Sequence, residues 1–304
     1  MKNVIPGRVI VYMLLNFLII TGWLTLPHMA NGQDLRSVQV SPDQEKRSCI
    51  QSVDGYAVLS ENMTIAETRT TAFANAKRQA VERARTYIQS KTKVVNFELK
   101  SDKITATTAG AVTVLEEKDL GIENNTRYHV WIKAEVEFSL KPDIKTPDAT
   151  DVDQDSLLTV KVWTPKKKYK DGESIKIYVQ GNRDFYARIV DMTSSGEIIQ
   201  LLPNHYRKSN FFKAGKIYKI PDTGDRFDLT VGAPYGQDQI IVYASVVPLG
   251  AVALEKVGQG LHRYRGSRKD LAVQTRGIAV MGTAQDTQEG AEFYEASWAL
   301  TTGK

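Results

Sequence analysis

Side chains able to exchange protons, hold a metal or attack an acyl group are few in this chain, and their spacing suits none of these tasks. The single cysteine is Cys49, and three of the four histidines, His129, His205 and His262, lie beyond residue 32. None stands in the H-E-x-x-H or C-x-x-C spacing that brings zinc ligands together on one helix face or turn, so no metal site is expected. A G-x-S-x-G elbow, which would expose a strained serine nucleophile, does not occur. Gly258-Gln259-Gly260 lacks the third glycine and the following helix start of a phosphate cradle. Glu135 and Glu137 read as solvated carboxylates on the polar face of a strand, whereas glycosidic chemistry needs such a pair across a cleft. Asp151-Val152-Asp153-Gln154-Asp155 starts like a calcium loop. Its sixth position is Ser156 where a turn glycine is wanted, and its twelfth is Val162 where a bidentate Glu is needed. The expectation is a protein with no catalytic residues and no cofactor, and so not an enzyme.

Cations and aromatic rings interleave at two places. Trp163-Thr164-Pro165 leads into Lys166-Lys167-Lys168-Tyr169-Lys170, and a second run reads His262-Arg263-Tyr264-Arg265-Gly266-Ser267-Arg268-Lys269. Two readings stay open for each. Such a run can meet an anionic envelope polymer or an acidic partner face, with the rings adding contact area. Alternatively it is a solvated turn whose lysines discourage pairing at a sheet edge. His205 and Tyr206 follow Leu202-Pro203-Asn204 in a turn after a strand, where Asn204 caps the turn or the loop touches a ligand. The candidate interaction surface therefore comprises Trp163, Lys166, Lys167, Lys168, Tyr169, His205, Tyr206, Arg263, Tyr264, Arg265 and Arg268. His129 is read as a surface position on the outer face of a strand, and Cys49 as a free thiol in a loosely ordered leader or a bridge between two chains.

The elements that must position these residues fall into two groups. In the first, Thr64-Ile65-Ala66-Glu67 is a capping box that opens a helix running to about Ser90. Ala66, Phe73, Ala76, Ala80, Ala84 and Tyr87 make its apolar stripe, widened by Ala72, Val81 and Ile88, and the small side chains let it lie close on a sheet. Strands are expected near Asp54–Leu59, Val94–Leu99, Ile104–Thr108 and Val112–Glu117. The clearest runs from Thr126 to Leu140, with Tyr128, Val130, Ile132, Ala134, Val136, Phe138 and Leu140 on one face. One helix on an antiparallel sheet is an α+β layout. Residues 141–156 hold two prolines and almost nothing apolar and read as a linker.

In the second group, short alternating strands are punctuated by Thr193-Ser194-Ser195-Gly196, Pro221-Asp222-Thr223-Gly224 and Pro234-Tyr235-Gly236, a β-sandwich pattern. Beyond Pro248 a short helix is expected at Ala251–Val257, a basic loop at His262–Asp270, strands at Thr275–Met281 and Glu292–Leu300, and a loop from Gly282 to Gly290. The fold class is thus α+β followed by all-β. The expected domains are residues 49–140 and 157–302, the first preceded by a flexible leader at 33–48.

Composition and address narrow the function. Lys2 and Arg8 precede an apolar run from Val9 to Trp23, Pro27 breaks it, and Ala30-Asn31-Gly32 supplies small residues for cleavage, the order of a secretory signal peptide over residues 1–32. The run is shorter than the roughly 20 residues of a spanning helix, and Cys49 is far from any lipid-anchor context, so an uncleaved anchor is the lesser reading. Removing this segment lowers the formal charge by two from +5, too small an excess for a nucleic-acid binder. One cysteine gives no internal disulfide, and 42% hydrophobic residues suffice for packed cores.

Two resemblances sit on these residues. Gly55-Tyr56-Ala57, the Ala66–Arg85 helix with Ala76-Lys77-Arg78-Gln79-Ala80, and the Tyr128–Phe138 strand resemble the N-terminal domain of flagellar assembly protein T and related bacterial envelope proteins. The second covers most of Leu157 to Val247. Tyr169-Lys170-Asp171-Gly172-Glu173-Ser174-Ile175, Gly196-Glu197-Ile198 with Leu201-Leu202-Pro203-Asn204, Ala214-Gly215-Lys216-Ile217-Tyr218, and Val231-Gly232-Ala233-Pro234-Tyr235-Gly236 are similar to the domain-of-unknown-function 4384 family. That resemblance implies a bacterial accessory module without catalysis of its own. The expected function is an exported, extracytoplasmic envelope protein (periplasmic or secreted) that binds other envelope proteins. The alternative is a ligand-binding module for a glycan or anionic polymer. No nucleic-acid partner and no transmembrane helix after cleavage are expected.

Overall fold

The structure, a computed structural model, describes residues 45–91, 97–99, 112–140, 149–258, 260–276 and 290–304, with the backbone of residues 10 and 11. The expected signal peptide, most of the leader, the Ile104–Thr108 strand, linker residues 141–148 and most of the Gly282–Gly290 loop lie outside the described residues.

The first half consists of β1 (Lys46–Val58), α1 (Ile65–Lys91), β2 (Phe97–Leu99), β3 (Val112–Glu123) and β4 (Arg127–Leu140). β4 is central. It pairs antiparallel with β1 on one side, from Arg47 opposite Phe138 to Val58 opposite Arg127, and with β3 and β2 on the other. Asn124 and Asn125 turn the chain between β3 and β4 with φ of 51° and 52°, the left-handed backbone that asparagine tolerates.

The capping box forms as expected: Thr64 Oγ1 accepts the Glu67 amide at 3.2 Å, and Glu67 Oε2 accepts the Thr64 amide at 2.8 Å. The buried stripe is Ala72, Ala76, Ala80, Ala84 and Ile88. Ala66 is exposed, and Phe73 and Tyr87 flank the stripe rather than centre it. The small face brings the helix against β1 at Gly55, where an added Cβ would lie 2.4 Å from the Ala72 carbonyl oxygen and 2.5 Å from the Ala76 Cβ.

The second half begins with β5 (Val160–Trp163), β6 (Lys168–Lys170), β7 (Ser174–Ile175), β8 (Ile177–Gly181), β9 (Phe185–Met192), β10 (Ile198–Leu202) and β11 (Phe211–Phe212). It continues with β12 (Tyr218–Ile220), β13 (Asp228–Thr230), β14 (Gln237–Ser245), β15 (Glu255–Gly258), β16 (Leu261–Tyr264), α2 (Arg268–Arg276) and β17 (Ala291–Gly303). A large sheet runs in the order β15-β16-β10-β9-β14-β17, and β12-β8-β5 form a smaller sheet. The core between the sheets holds Val160, Val162, Ile177, Val179 and Ile220 against Phe185, Ile189, Ile240, Val242 and Tyr294. On the opposite face of the large sheet, α2 packs Leu271 and Ala272 on Val190, Ile241 and Tyr243.

Several expectations for this half are corrected. Residues 251–254 are irregular and 255–258 form β15 rather than a helix; the basic loop is β16 followed by the start of α2; Thr275 and Arg276 close α2 instead of opening a strand, and residues 277–281 of that expected strand lie outside the described residues. The helix carries its own start signal. Ser267 Oγ accepts the Asp270 amide at 3.1 Å, and Asp270 Oδ2 accepts the Ser267 amide at 3.2 Å.

One strand joins the halves. β17 pairs with β14 from Phe293 opposite Ser245 to Thr301 opposite Gln237, while its first residues pair with β1, Ala291 opposite Ile50 through Glu295 opposite Lys46. β1 is therefore held on both sides, which is why it begins at Lys46 inside the stretch read as leader. Cys49 sits in that strand fully buried, its sulfur accepting from Gln51 Nε2 at 3.0 Å, and burial pushes the thiol up to about 12. It is neither loosely ordered nor placed to bridge two folded chains. Gly55→Ala should force α1 off β1 and cost about 1–3 kcal/mol, read as a lower urea midpoint with an unchanged slope.

Candidate functional site

The first basic-aromatic run divides between two small aromatic clusters. β5 delivers Trp163 opposite Tyr178 of β8, and the two rings stack with centroids 5.6 Å apart and planes 17° from parallel. Lys161 Nζ lies 5.6 Å from the Trp163 ring centre. Next along the chain, Thr164 Oγ1 accepts the indole N–H of Trp298 at 2.8 Å, and Lys167 Nζ sits 4.3 Å above that second indole. Trp163, Tyr178 and Trp298 are half-buried, and Lys161, Lys167 and Lys168 are exposed. Cations above aromatic faces are attracted by the ring quadrupole, and the rings keep their apolar faces partly open to a partner.

Two residues of that run do other work. Tyr169, the middle residue of β6, is 4% exposed and belongs to the sandwich core, because a three-residue strand with exposed ends turns its centre inward. Lys166 donates to Glu173 Oε2 at 2.7 Å. Tyr178, Trp298 and Lys161 were missed by sequence reasoning. Tyr178 comes from another strand, and only register brings it beside Trp163; Trp298, on the inward phase of β17, meets the run at Thr164 and Lys167.

The second run is electrostatically spent. Arg263 lies between Glu197 at 2.6 Å and Glu255 at 3.2 Å, and Arg265 grips both oxygens of Glu255 at 2.6 Å. Arg265 and then Arg263 hold the Glu255 carboxyl down at about 2. Arg268 donates to Glu295 at 2.6 Å and to Gln239 at 2.9 Å, and Tyr264 is buried, its hydroxyl accepting from Gln274. These residues brace β16 and α2. His205 is exposed and meets Tyr206 edge-on at 5.4 Å, while Tyr206 stacks on Phe227 at 6.0 Å and abuts the turn at Gly260. The structure does not gather the predicted residues into one site.

Glu135 also departs from expectation. It is 2% exposed rather than solvated, because α2 lies over that face of β4 and sets Arg276 Nε 2.8 Å from Glu135 Oε1. Arg276 reaches Glu295 at 3.3 Å as well, so one buried guanidinium serves a carboxylate from each half. Glu292 mirrors this on the opposite face of β17: it takes the Leu158 amide at 2.7 Å and Arg183 at 2.9 Å. His129 is half-buried, stacks on Tyr56 at 4.4 Å and bonds Asp54 at 2.8 Å.

A polar feature inside the sandwich escaped sequence reasoning. Strand β9 turns Phe185, Ala187 and Ile189 inward, and the same alternation turns Asp191 inward; in β14, Asp238 precedes inward Ile240, Val242 and Ala244. The two carboxyls line a cavity of about 70 Å³ together with Ile175, Ile177, Ile199, Leu229 and Ile240. Asp238 accepts the Ser194 amide at 2.7 Å and the Thr302 hydroxyl at 3.2 Å. Asp191 Oδ1 is buried and has no hydrogen-bond partner. Burial, and secondarily the charge of Asp238, pushes the Asp191 carboxyl up to about 8; burial raises Asp238 as well. The legible signal was an acid at the inward phase of two otherwise apolar alternations.

These halves define an α+β sheet with one long helix continued by an all-β sandwich. Residues 168–248, from β6 to just beyond β14, match the family described as Domain of unknown function (DUF4384), in accord with the resemblance of the second half. Among solved structures, a DUF4785 family protein from Legionella pneumophila subsp. pneumophila str. Philadelphia 1 is similar at 10% identity and a TM-score of 0.26, covering 86% of this chain and 55% of that one. The chain spans about half the length of that protein. No curated protein matches.

Arg276→Ala leaves Glu135 and Glu295 buried without their shared cation and should cost about 3–5 kcal/mol in chemical unfolding, whereas loss of exposed Arg265 should change little. For Asp191 the folded carboxyl holds its proton more tightly than the unfolded one. Its contribution is therefore most favourable below pH 4 and declines as pH rises towards about 8. Asp191→Asn should raise stability at pH 8 by about 2–5 kcal/mol and leave it nearly unchanged at pH 4, as read from urea midpoints at the two pH values.

Proposed function

We propose that this is an exported bacterial envelope protein that acts without catalysis, as a protein–protein interaction or assembly module. The observation that carries the reading is the half-exposed Trp163–Tyr178 stack with Lys161 over the Trp163 indole, together with a separate pair of Lys167 over Trp298. Tryptophan and tyrosine dominate the energetics of interfaces because they bury much area at little conformational cost. The lysines add long-range attraction for an acidic partner face. Export rests on the order of basic, apolar and small residues over positions 1–32, and no helix among the described residues is long and apolar enough to cross a membrane. The likeness of the first half to the N-terminal domain of flagellar assembly protein T supports an envelope assembly role by analogy.

Glycan binding is the second reading, and the same pair favours it, since the half-buried Trp163 and Tyr178 rings keep apolar surface open to the apolar face of a sugar. An anionic polymer is supported less, because the arginines of the second run are already paired with Glu197, Glu255 and Glu295.

Photocrosslinking from position 163 in native envelopes separates these readings. The expected result is a discrete protein adduct, reduced at least tenfold by Tyr178→Ala with Lys161→Ala while the melting temperature stays within a few degrees. Adducts only with polysaccharide would favour the glycan reading. Recovery of the protein solely from cytoplasm would reject both.

A further inference from the structure

The Asp191 cavity has a definite chemical complement. Its wall is aliphatic, and the lining side chains include two carboxyls and no lysine, arginine or histidine. Asp238 is satisfied by Ser194 and Thr302, but Asp191 presents a buried oxygen to which nothing in the protein donates. A buried acceptor without a donor is costly, and natural structures rarely leave one without an occupant to satisfy it. The group that fits is a donor, and beside a second carboxyl it is a positively charged one. Access is open at one end, where Ile175, Thr230, Gly232 and Pro234 are only half-buried. One water needs about 10–15 Å³ on this measure, so a cavity of about 70 Å³ admits roughly five to seven non-hydrogen atoms.

We propose that this cavity binds a primary ammonium on a short alkyl stem, with the ammonium between Asp191 and Asp238 and the stem among Ile177, Ile199, Leu229 and Ile240. Two sources share that chemistry: a free small amine, and a lysine side chain of a partner. Binding displaces the Asp191 proton to solvent, since an ammonium favours the ionised carboxyl. Asp238 is the only other titratable group that lines the cavity among the described residues. Affinity therefore climbs with pH towards the point, about 8, where Asp191 would ionise unaided. This inference does not rest on the Trp163 surface, and either can fail alone.

Calorimetry on the full chain tests it with n-butylammonium, using n-butanol and butyrate as neutral and anionic shapes of the same size. Butylammonium is expected to bind with a Kd on the order of 1 mM at pH 8, at least tenfold more tightly than n-butanol, and butyrate not at all. Near pH 6.5, two buffers of different ionisation enthalpy should report proton release of up to one per site for butylammonium and none for n-butanol. Asp191→Asn, which keeps the side-chain shape and removes the charge, should weaken butylammonium at least tenfold and abolish the proton release. A lysine-containing peptide that binds more tightly than butylammonium assigns the site to a partner's side chain, and a weaker one assigns it to a free amine. The proposal is overturned if butylammonium gives no heat at about 50 mM, binds no better than n-butanol, or binds Asp191→Asn as it binds the unaltered protein.

Discussion

A single strand, Ala291–Gly303, holds the molecule together. Along one edge it completes the sandwich sheet against Gln237–Ser245; along the other it seals β1 and hence the sheet on which α1 lies. Two carboxylates project from its opposite faces near the crossing, Glu292 to Arg183 and Glu295 to Arg276 and Arg268. Buried ion pairs seldom add much stability over an apolar contact, yet they punish any arrangement that separates them. The charges therefore fix the register of the shared strand, and hydrophobic burial on either side supplies the stabilisation.

That constraint explains the polarity of surfaces that look solvated in sequence. The outer face of β4 carries Glu135, which is buried because α2 lies beside it. Without the helix the face would read as ordinary alternation of apolar and charged residues. With it, the carboxylate needs Arg276, and the helix is held by the same pair.

Much of the fold was legible where one element decides its own environment. The capping box at Thr64 and the inward set of β4 were both readable, since each depends on neighbours three or two residues away. The alanine stripe was readable in kind but misjudged in phase: the core line is 72, 76, 80, 84 and 88, and Phe73 and Tyr87 are its margins. Strand β1 was cut short because Lys46-Arg47-Ser48-Cys49 shows no alternation. A strand paired on both edges and covered on both faces has no reason to show it. Helix α2 was missed although Ser267 and Asp270 announce it, because its polar composition resembles a loop. The surface was half legible: Trp163 and Lys167 stood out, but their companions Tyr178 and Trp298 arrive through long-range register. Asp191 and Asp238 were readable in principle from phase alone.

The shared strand also governs the order in which the polypeptide can mature during synthesis. Ribosomes release residues 46–58 long before 291–303, so the opening strand waits with one edge unpaired while the residues between are made. Contacts between such distant segments close slowly because the intervening chain must first be brought round. The early half is thus kept incomplete until residues 291–303 have been made, and a ribosome stalled short of Ala291 would yield a chain with two exposed edges instead of one finished half.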